Sequence, residues 1–479
     1  MATDPRALRS DAPLLDAWLR FQEEPPTPFT IPGHKQRHDL VGDVIAGDVP
    51  LYAGLDTMKL SSGVLLDAEA RAARLWGADV CRFSVGGSTH ANQALALAIE
   101  HGDGGSVVVS RTLHRSMLLG LVLAGLTPRW VRPDVDASTG LPLGVAPEAI
   151  ADALRAYPNV TAVLVGDPSY VGTVGDVAEQ AAIAHAHGVP LIVDAAWSAH
   201  FGFHPDLPRH PLQLGADAMV ISAHKTLPAW SQAALVLARG ERINPARLDA
   251  GVEATHTTSP AGAILASIDA ARALLARDGE ALLGEALSVV RTARERLADV
   301  AGLIVLDGPG VDPLKLTLVL PGTGSDGIAV ERDMLGAGLP VEAAERDTIV
   351  AQVSLADTAA SLTRLVDALI ASIARHRGPA RPVVAGAAYD VTPVTVMPPR
   401  AAFFAPSDAV ALQDSVGQVS AELVAPYPPG IPVLAPGEEI TAAVLDALHR
   451  AQSDGIRIAY AADPSLSTLR VVSSRKDTR

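Results

Sequence analysis

The chain has 479 residues, of which 48% are hydrophobic and 19% charged, and its formal net charge is −15. This composition supports a large buried core, and the negative charge argues against nucleic acid or an anionic membrane as a partner. The single cysteine, Cys81, excludes an intrachain disulfide, which fits a reducing cytoplasm. Residues 1–21 lack the apolar core of a signal peptide, and the most apolar run, residues 117–126, is about half a membrane span.

In chain order, predicted strands and helices alternate from about residue 79. Buried strands are predicted at 79–85, 106–110, 160–166, 189–196, 216–222 and 233–238. Helices are predicted between them, at 89–102, 114–125, 147–157 and 176–188. Strands that are apolar on both faces and alternate with helices predict a parallel sheet that is covered on both sides.

After about residue 260 the pattern changes. A long helix from residue 261 is followed by the strand 314–320 and the helix 358–376, which together predict a smaller α/β domain. Residues 377–386, rich in proline and glycine, are typical of a linker. We therefore expect four parts: an N-terminal segment (1–40), a large cofactor-binding domain (41–260), a small α/β domain (261–376) and a C-terminal module (387–479).

Polar residues follow four of the predicted strands at their carboxyl ends, where open parallel sheets bind ligands. They are Gly86–Thr89, His114, Asp194 and Ser222–Lys225. Each of them alone has an ordinary explanation: a capped helix start, a polar loop residue, a strand-end cap or a solvated lysine. Their convergence on one edge of the sheet is the stronger observation, and it predicts a ligand site.

The residue types in this set predict a site for pyridoxal 5′-phosphate. A lysine that forms a Schiff base with a carbonyl cofactor needs a phosphate cradle, an acid facing the pyridine nitrogen and an aromatic partner for the ring. The helix start after Gly86 and Gly87 offers free N–H groups to a phosphate. Asp194 is the candidate acid, His114 the candidate stacking ring and Lys225 the candidate Schiff-base lysine.

Several segments together resemble the Orn/Lys/Arg decarboxylases, which have the aspartate-aminotransferase fold, fold type I. The resemblance covers most of the chain and rests on PGHK (32–35), SAHK (222–225) and YPPGIPVLAPGE (427–438), in this order. It implies an α/β fold with a mainly parallel large domain, a small α/β domain and a C-terminal α+β module. It also implies decarboxylation of a basic amino acid for polyamine biosynthesis, and arginine is favoured over lysine and ornithine because short members are often assigned to arginine.

The resemblance implies roles for individual residues. Lys225 holds the cofactor as a Schiff base, and Asp194 binds its pyridine nitrogen. His114 stacks on the ring, and Trp197 lines its phenolic side. The residues implied to hold the phosphate are Ser88, Thr89, Ser222 and His224, together with Thr258 and Ser259 from the neighbouring subunit.

Two further roles follow from the same resemblance. Glu438, within APGEE, lies where the family places an acid near the distal cation of the substrate. Lys225 or His224 returns a proton to the α-carbon.

The chain lacks the large N-terminal wing domain of long family members, so we expect a homodimer or tetramer with shared active sites rather than a ring-shaped decamer. GGSTH replaces the usual GTS turn, which leaves the register of Ser88 against Thr89 open.

Other functions remain open at this point. An aminotransferase or amino-acid oxidase would use the same cofactor, and Arg346 would then grip the α-carboxylate, although a solvated turn explains this arginine better. A non-catalytic binding protein with the same fold is disfavoured by the intact lysine, aspartate and histidine set. Two close pairs of histidines lack a matching carboxylate pattern, so no metal is expected there: His34 with His38, and His185 with His187.

Overall fold

The computed structural model describes residues 4–24, 29–49, 63–99, 104–384, 386, 389, 391–392, 394–427, 430–453 and 456–473. The expected end of one helix, residues 100–102, and Pro428 and Pro429 of the C-terminal motif lie outside these ranges. The chain divides into two compact units. The first unit is Met1–Ile99 with Ile192–Gly284, and the second unit is Glu100–Leu191 with Glu285–Arg479. None of the helices in the described ranges is long and apolar enough to cross a membrane.

The α-helices and β-strands are numbered here in chain order. The helices are α1 (Pro13–Glu23), α2 (His38–Val41), α3 (Val64–Trp76), α4 (Gly87–Ala98), α5 (Arg115–Ala124), α6 (Pro147–Ala156), α7 (Val177–Ala186), α8 (Ala223–Thr226), α9 (Pro245–Thr255), α10 (Gly262–Ala298), α11 (Gly327–Gly336), α12 (Ala359–Arg375), α13 (Pro399–Phe404) and α14 (Ala442–Ser453). The strands are β1 (Val80–Ser84), β2 (Ser106–Ser110), β3 (Thr127–Val131), β4 (Val160–Gly166), β5 (Leu191–Asp194), β6 (Ala218–Ile221), β7 (Ala234–Ala238), β8 (Ile304–Val305), β9 (Lys315–Val319), β10 (Ala343–Ala344), β11 (Thr348–Gln352), β12 (Ser407–Ala411), β13 (Ala425–Tyr427), β14 (Arg457–Ala459) and β15 (Thr468–Val472).

The strands of the first unit lie in the order β1, β7, β6, β5. Strands β5 and β6 are parallel, with Asp194 opposite Val220. Strand β7 runs antiparallel to both of its neighbours, so it is an exception within the predicted mainly parallel arrangement. The connection from Ile221 to Ala234 contains only the single turn of α8. It therefore reverses the chain instead of crossing over the sheet, which usually takes a complete helix.

In the second unit, β4, β2 and β3 are neighbours and parallel. This arrangement confirms the alternation of strands and helices as a sign of parallel pairing. The predicted strand 314–320 is β9, in a four-stranded antiparallel sheet ordered β10, β11, β9, β8. The predicted helix 358–376 is α12. Its apolar stripe is buried because leucine, valine and isoleucine recur at helical spacing.

The C-terminal part of the second unit has a hydrophobic core of its own. Two antiparallel pairs, β12 with β15 and β13 with β14, lie there together with α14. The fully buried members of this core include Val424, Leu434, Ile440, Val444 and Leu448. Burying side chains of this size stabilises the folded state by roughly 1.5–3 kcal/mol each, which gives the segment around Glu438 a rigid support.

Candidate functional site

In the first unit, the glycine turn before α4 is fixed next to the SAHK segment by two successive carbonyl groups. The backbone N–H of Gly87 donates to the carbonyl of Gln232 at 2.9 Å. His224 donates to the carbonyl of Ala233 from its backbone N–H, at 3.3 Å, and from ring Nδ1, at 2.8 Å. Gly87 has φ +69°, a conformation that favours glycine. Two of the segments expected at the site therefore lie side by side.

The start of α4 has the properties of an anion site. Its N-cap residue is Gly86, and no side chain caps the helix. Ser88 and Thr89 lie in its first turn and are partly buried. The first N–H groups of a helix have no partner within the helix, and the helix dipole places partial positive charge there. A phosphate group bound at this point would accept hydrogen bonds from these groups.

Two buried hydroxyl groups strengthen this interpretation. Ser222 is the N-cap residue of α8, yet its side chain makes no capping hydrogen bond. Its Oγ and the Oγ1 of Thr226 are buried and have no hydrogen-bond partner within the described part of the chain. A serine at an N-cap normally accepts a backbone N–H, and an unpaired buried hydroxyl costs about 1–3 kcal/mol. Both hydroxyls therefore fit a role as donors to the oxygen atoms of a phosphate.

Lys225 lies against an aromatic ring. Its ammonium nitrogen is 4.0 Å from the ring centroid of Trp197, which follows the carboxyl end of β5. A cation at this position above an indole ring is attracted by about 0.5–2 kcal/mol. The neighbouring strands β5 and β6 thus bring together two residues that we had singled out separately, and they hold the lysine side chain in one place.

Asp194, at the carboxyl end of β5, is a buried acid with a dedicated partner. The residue is 7% exposed. Its Oδ2 accepts a hydrogen bond from Asn92 Nδ2 at 2.8 Å, and its Oδ1 accepts one from the Ala196 backbone N–H at 3.3 Å. Asn92 lies on α4 and is fully buried. A carboxylate in such surroundings is stabilised by a cationic partner, and a protonated pyridine nitrogen is a partner of this kind.

Asn92 was missed by the sequence reasoning. It lies three residues after Thr89 on α4, so it is almost one helical turn beyond the expected phosphate residues. A polar residue within an alanine-rich helix is the one local signal that distinguishes it. The side chain that it would contact is 102 residues further along the chain, and the sequence pattern does not identify that partner.

The surroundings of His224 favour the neutral form of its imidazole. Burial lowers the pKa of its imidazole, the Ala233 carbonyl opposes this effect, and the positive charge of Lys225 lowers the pKa further. Because the Ala233 carbonyl can only accept, ring Nδ1 carries the hydrogen. Nε2 of the neutral ring is then an acceptor rather than a proton donor, so Lys225 is the better candidate for returning a proton.

His114 belongs to the second unit, where it begins a helix. It is the N-cap residue of α5, and its Nδ1 accepts a hydrogen bond from the Ser116 backbone N–H at 3.3 Å. The same nitrogen lies 2.9 Å from Ser116 Oγ. These contacts fix the orientation of the imidazole just beyond the carboxyl end of β2.

Glu438, which is expected near the distal cation of the substrate, is bound by other residues of the protein. We expected this carboxylate to face the cation of a substrate, but both of its oxygens are held by Arg111 in a buried ion pair, with side chains 1% and 3% exposed. Oε2 also accepts the Ala435 backbone N–H at 2.7 Å. This ion pair supports a structural role for Glu438, and its contact with a substrate cation stays a prediction.

Arg111, which the sequence reasoning missed, is tied to the C-terminal module by further contacts. Its guanidinium donates to the carbonyls of Pro432 and Val433, at 3.1 and 3.2 Å. It also lies 4.6 Å from the ring centroid of Trp130. Arg111 directly follows β2 and precedes His114 by three residues. The ion pair therefore fixes the segment that carries His114.

The remaining candidates differ in their surroundings. Thr258 and Ser259 are exposed, in the loop between α9 and α10. Arg346, the candidate carboxylate ligand of an aminotransferase, donates to the neighbouring Asp347 through Nε at 3.2 Å and Nη2 at 2.8 Å. This pairing removes the main argument for the aminotransferase alternative.

A third residue that the sequence reasoning missed is Asp167, which follows β4. Its Oδ1 accepts the Gly175 backbone N–H at 2.6 Å, and burial raises its pKa to about 7 against the opposing effect of this hydrogen bond. The unfolded chain loses the proton near the ordinary value of 3.8. Between these two pH values the unfolded state is ionised while the folded state keeps its proton, so stability falls as the pH rises.

We therefore expect Asp167→Asn to raise the melting temperature at pH 8 and to change it little at pH 4. Asparagine keeps the acceptor oxygen and carries no charge, so it removes the cost of burying an ionised group. Thermal denaturation of the variant and the wild type at both pH values measures the effect. The exposed Asp152 provides the matched control. An equal change of the Asp167→Asn variant at both pH values would contradict the explanation.

Comparisons with known proteins identify the family of this chain. The family model described as Orn/Lys/Arg decarboxylase, major domain, matches residues 12–308, and the C-terminal domain model of the same family matches residues 383–455. The chain is 30% identical to a protein named arginine decarboxylase from Halalkalibacterium halodurans, over 98% of this chain and 99% of the relative.

Solved structures show the same fold. The constitutive lysine decarboxylase of Escherichia coli superposes with a TM-score of 0.80 at 20% identity, covering 98% of this chain and 83% of that one. A structure described as SPT with PLP superposes with a TM-score of 0.55 at 16% identity, covering 75% of this chain and 83% of that one. The fold is therefore the aspartate-aminotransferase fold of type I. The chain belongs to the Orn/Lys/Arg decarboxylase family and is a decarboxylase that uses pyridoxal 5′-phosphate.

Proposed function

We propose that this enzyme decarboxylates a basic amino acid, with arginine favoured over lysine and ornithine, and releases carbon dioxide and the corresponding amine. The observation that carries the proposal is the arrangement in the first unit, where Lys225 lies against Trp197 and the buried Asp194 is held by Asn92. The preference for arginine is supported by the relative from H. halodurans, which is aligned over almost its full length and is named for arginine.

The cofactor, when bound, supplies a protonated pyridine ring that takes up the electron pair left by the departing carbon dioxide. Asp194 keeps the ring nitrogen protonated, and Asn92 keeps the carboxylate pointed in one direction. Ser88, Thr89 and Ser222 bind the phosphate, and Trp197 orients the side chain of Lys225. His114 stacking on the ring remains a proposal that rests on the sequence resemblance.

Lys225 has two tasks in this proposal. Its amine would hold the cofactor covalently, and its ammonium group would supply the proton that replaces carbon dioxide on the α-carbon. The lowered pKa of His224, caused mainly by burial and opposed by the Ala233 carbonyl, favours the lysine for the second task. His224 instead fixes the SAHK segment through its two hydrogen bonds to Ala233.

The choice of substrate is tested directly by incubating the purified holoenzyme with arginine, lysine and ornithine. We expect carbon dioxide and the matching amine from each accepted amino acid, with the highest kcat/KM for arginine. A higher value for lysine or ornithine would overturn the arginine preference. Formation of a keto acid without carbon dioxide would overturn decarboxylation itself.

We also propose a homodimer, or a dimer of dimers, in which each site is shared between subunits. Thr258 and Ser259 lie in an exposed loop and follow His256 in the sequence THTTSP. Their exposure leaves their hydroxyl groups accessible to the phosphate of a neighbouring subunit. In an isologous dimer the same surface of each subunit forms the interface, so each subunit would supply this loop to the other.

Mixing two inactive variants tests the shared site. Lys225→Ala subunits and Thr258→Ala/Ser259→Ala subunits should regain activity when they are unfolded and refolded together. Half of the random dimers would be mixed, and each would contain one intact site, so about a quarter of wild-type activity is expected. Each variant refolded alone is the control. No recovery, with mixed dimers demonstrated by mass, would contradict a shared site.

Localisation and pathway belong to the same proposal. A single cysteine that is buried and unpaired supports a cytoplasmic enzyme, since reduced thiols persist there. The amine product of a basic amino acid supports a place in polyamine biosynthesis.

A further inference from the structure

Two histidines of the first unit meet beside the phosphate turn, and neither belongs to the set expected from the sequence. His90 lies in the first turn of α4, and His256 is the C-cap residue of α9. Their rings are edge to face, with centroids 6.1 Å apart and an angle of 71° between the planes. Helices α4 and α9 pack against each other, so the contact between the rings is fixed by both helices.

Each ring has a buried nitrogen without a hydrogen-bond partner among the described residues: Nδ1 of His90 and Nε2 of His256. For His256 the other nitrogen, Nδ1, lies 2.9 Å from the Val252 carbonyl and therefore carries the hydrogen. A buried polar atom without a partner is unusual in a folded protein and needs a specific explanation. The backbone of Phe83 also interacts with the His256 ring, so the Nδ1 atom of His90 is the one that indicates a missing ligand.

The position of His90 identifies the place of that ligand. A Cβ atom added to Gly86 would lie 1.8 Å from His90 Nδ1, so this nitrogen is directly against the turn that precedes α4. The helix start has no side-chain cap, and the buried, unpartnered hydroxyl of Ser222 belongs to the neighbouring SAHK segment. Glycine at position 86 allows the His90 ring to pack directly against the turn, because a side chain at this position would overlap the imidazole.

We propose that His90 is a direct ligand of the cofactor phosphate and that His256 is a positioning residue that orients the His90 ring. The proposal rests on the phosphate site proposed above and adds two residues to it. A phosphate group at the helix start gives the His90 Nδ1–H group an acceptor. His256 keeps the ring facing the turn through the edge-to-face contact.

The test compares two ligands that differ only in the phosphate group. The full-length protein, freed of cofactor, is titrated with pyridoxal 5′-phosphate and with pyridoxal, and binding is followed by tryptophan fluorescence. A hydrogen bond to a charged group contributes about 1.5–3 kcal/mol, so His90→Ala should weaken pyridoxal 5′-phosphate binding roughly 10- to 100-fold. Its affinity for pyridoxal should stay at the wild-type value.

Further variants separate a ligand from a structural role. His90→Asn, whose amide can replace the Nδ1 donor, should recover part of the lost affinity. His256→Gln should give a smaller loss, again confined to the phosphorylated ligand. The exposed His187 is the matched control, and His187→Gln should bind both ligands normally. Equal weakening of both ligands in His90→Ala, or no weakening at all, would overturn the histidine proposal.

One more variant separates this proposal from the proposed function. Ser88→Ala/Thr89→Ala should also lose the preference for the phosphorylated ligand. If it keeps the wild-type preference, the helix start is not the phosphate site, and the site assignment of the proposed function fails with it. If the histidine variants keep the wild-type preference for pyridoxal 5′-phosphate while Ser88→Ala/Thr89→Ala loses it, the phosphate site stands. The proposed role of His90 and His256 is then wrong.

Discussion

Replacing Glu438 by glutamine is expected to lower the melting temperature of the enzyme strongly and to leave its relative preference for arginine, lysine and ornithine unchanged. Both oxygens of Glu438 are bound by Arg111 in the interior of the second unit. Removing one partner of a buried ion pair leaves the other charge uncompensated, which costs about 3–5 kcal/mol. Scanning calorimetry measures the loss of stability, and kcat/KM for the three amino acids measures the preference.

The adjacent Glu439 provides the matched control for this experiment. Its carboxylate is more exposed than that of Glu438, so Glu439→Gln should change the melting temperature little. The double variant Arg111→Met/Glu438→Gln should lose less stability than the sum of the losses of the two single variants. In the double variant no buried charge is left without a partner. A normal melting temperature with a large loss of kcat/KM for all three amino acids would return Glu438 to the substrate site.

Replacing Lys225 by alanine is expected to lower kcat by roughly 10²- to 10⁴-fold or more, since a positioned proton donor alone contributes a factor of this size. Borohydride should fix the cofactor to the wild-type enzyme and should fix none to the variant. The chain has five lysines, so mass spectrometry of the peptides assigns the adduct unambiguously. The cofactor should still bind to Lys225→Ala, because its phosphate and pyridine nitrogen keep their partners.

Lys35, exposed in the PGHK segment, is the matched control for the covalent adduct. Lys35→Ala should keep the cofactor attached at residue 225 after reduction. An adduct on any lysine other than Lys225 in the wild-type enzyme would disprove the assignment. So would a Lys225→Ala variant that keeps the wild-type kcat.

The sequence by itself determined the fold class and the local composition of the site. Apolar strands that alternate with helices are a local signal, and they correctly predicted β2 and β4 and their parallel pairing, whereas β3 was not predicted. The family was recognised from short motifs, of which SAHK contains Lys225. Asp194 and Ser222 were singled out because polar residues after four predicted strands converge on one edge of the sheet, where parallel sheets bind ligands.

Only the tertiary structure decided which side chains contact one another. Asn92 and Asp194 are 102 residues apart, and Arg111 and Glu438 are 327 residues apart. The antiparallel direction of β7 likewise depended on the short connection between β6 and β7, which reverses the chain. A local pattern sets the helix or strand on which a side chain lies, but its partner is set by the packing of distant segments. For this reason the sequence indicated an acid at position 438, while the fold alone determined that Arg111 neutralises it.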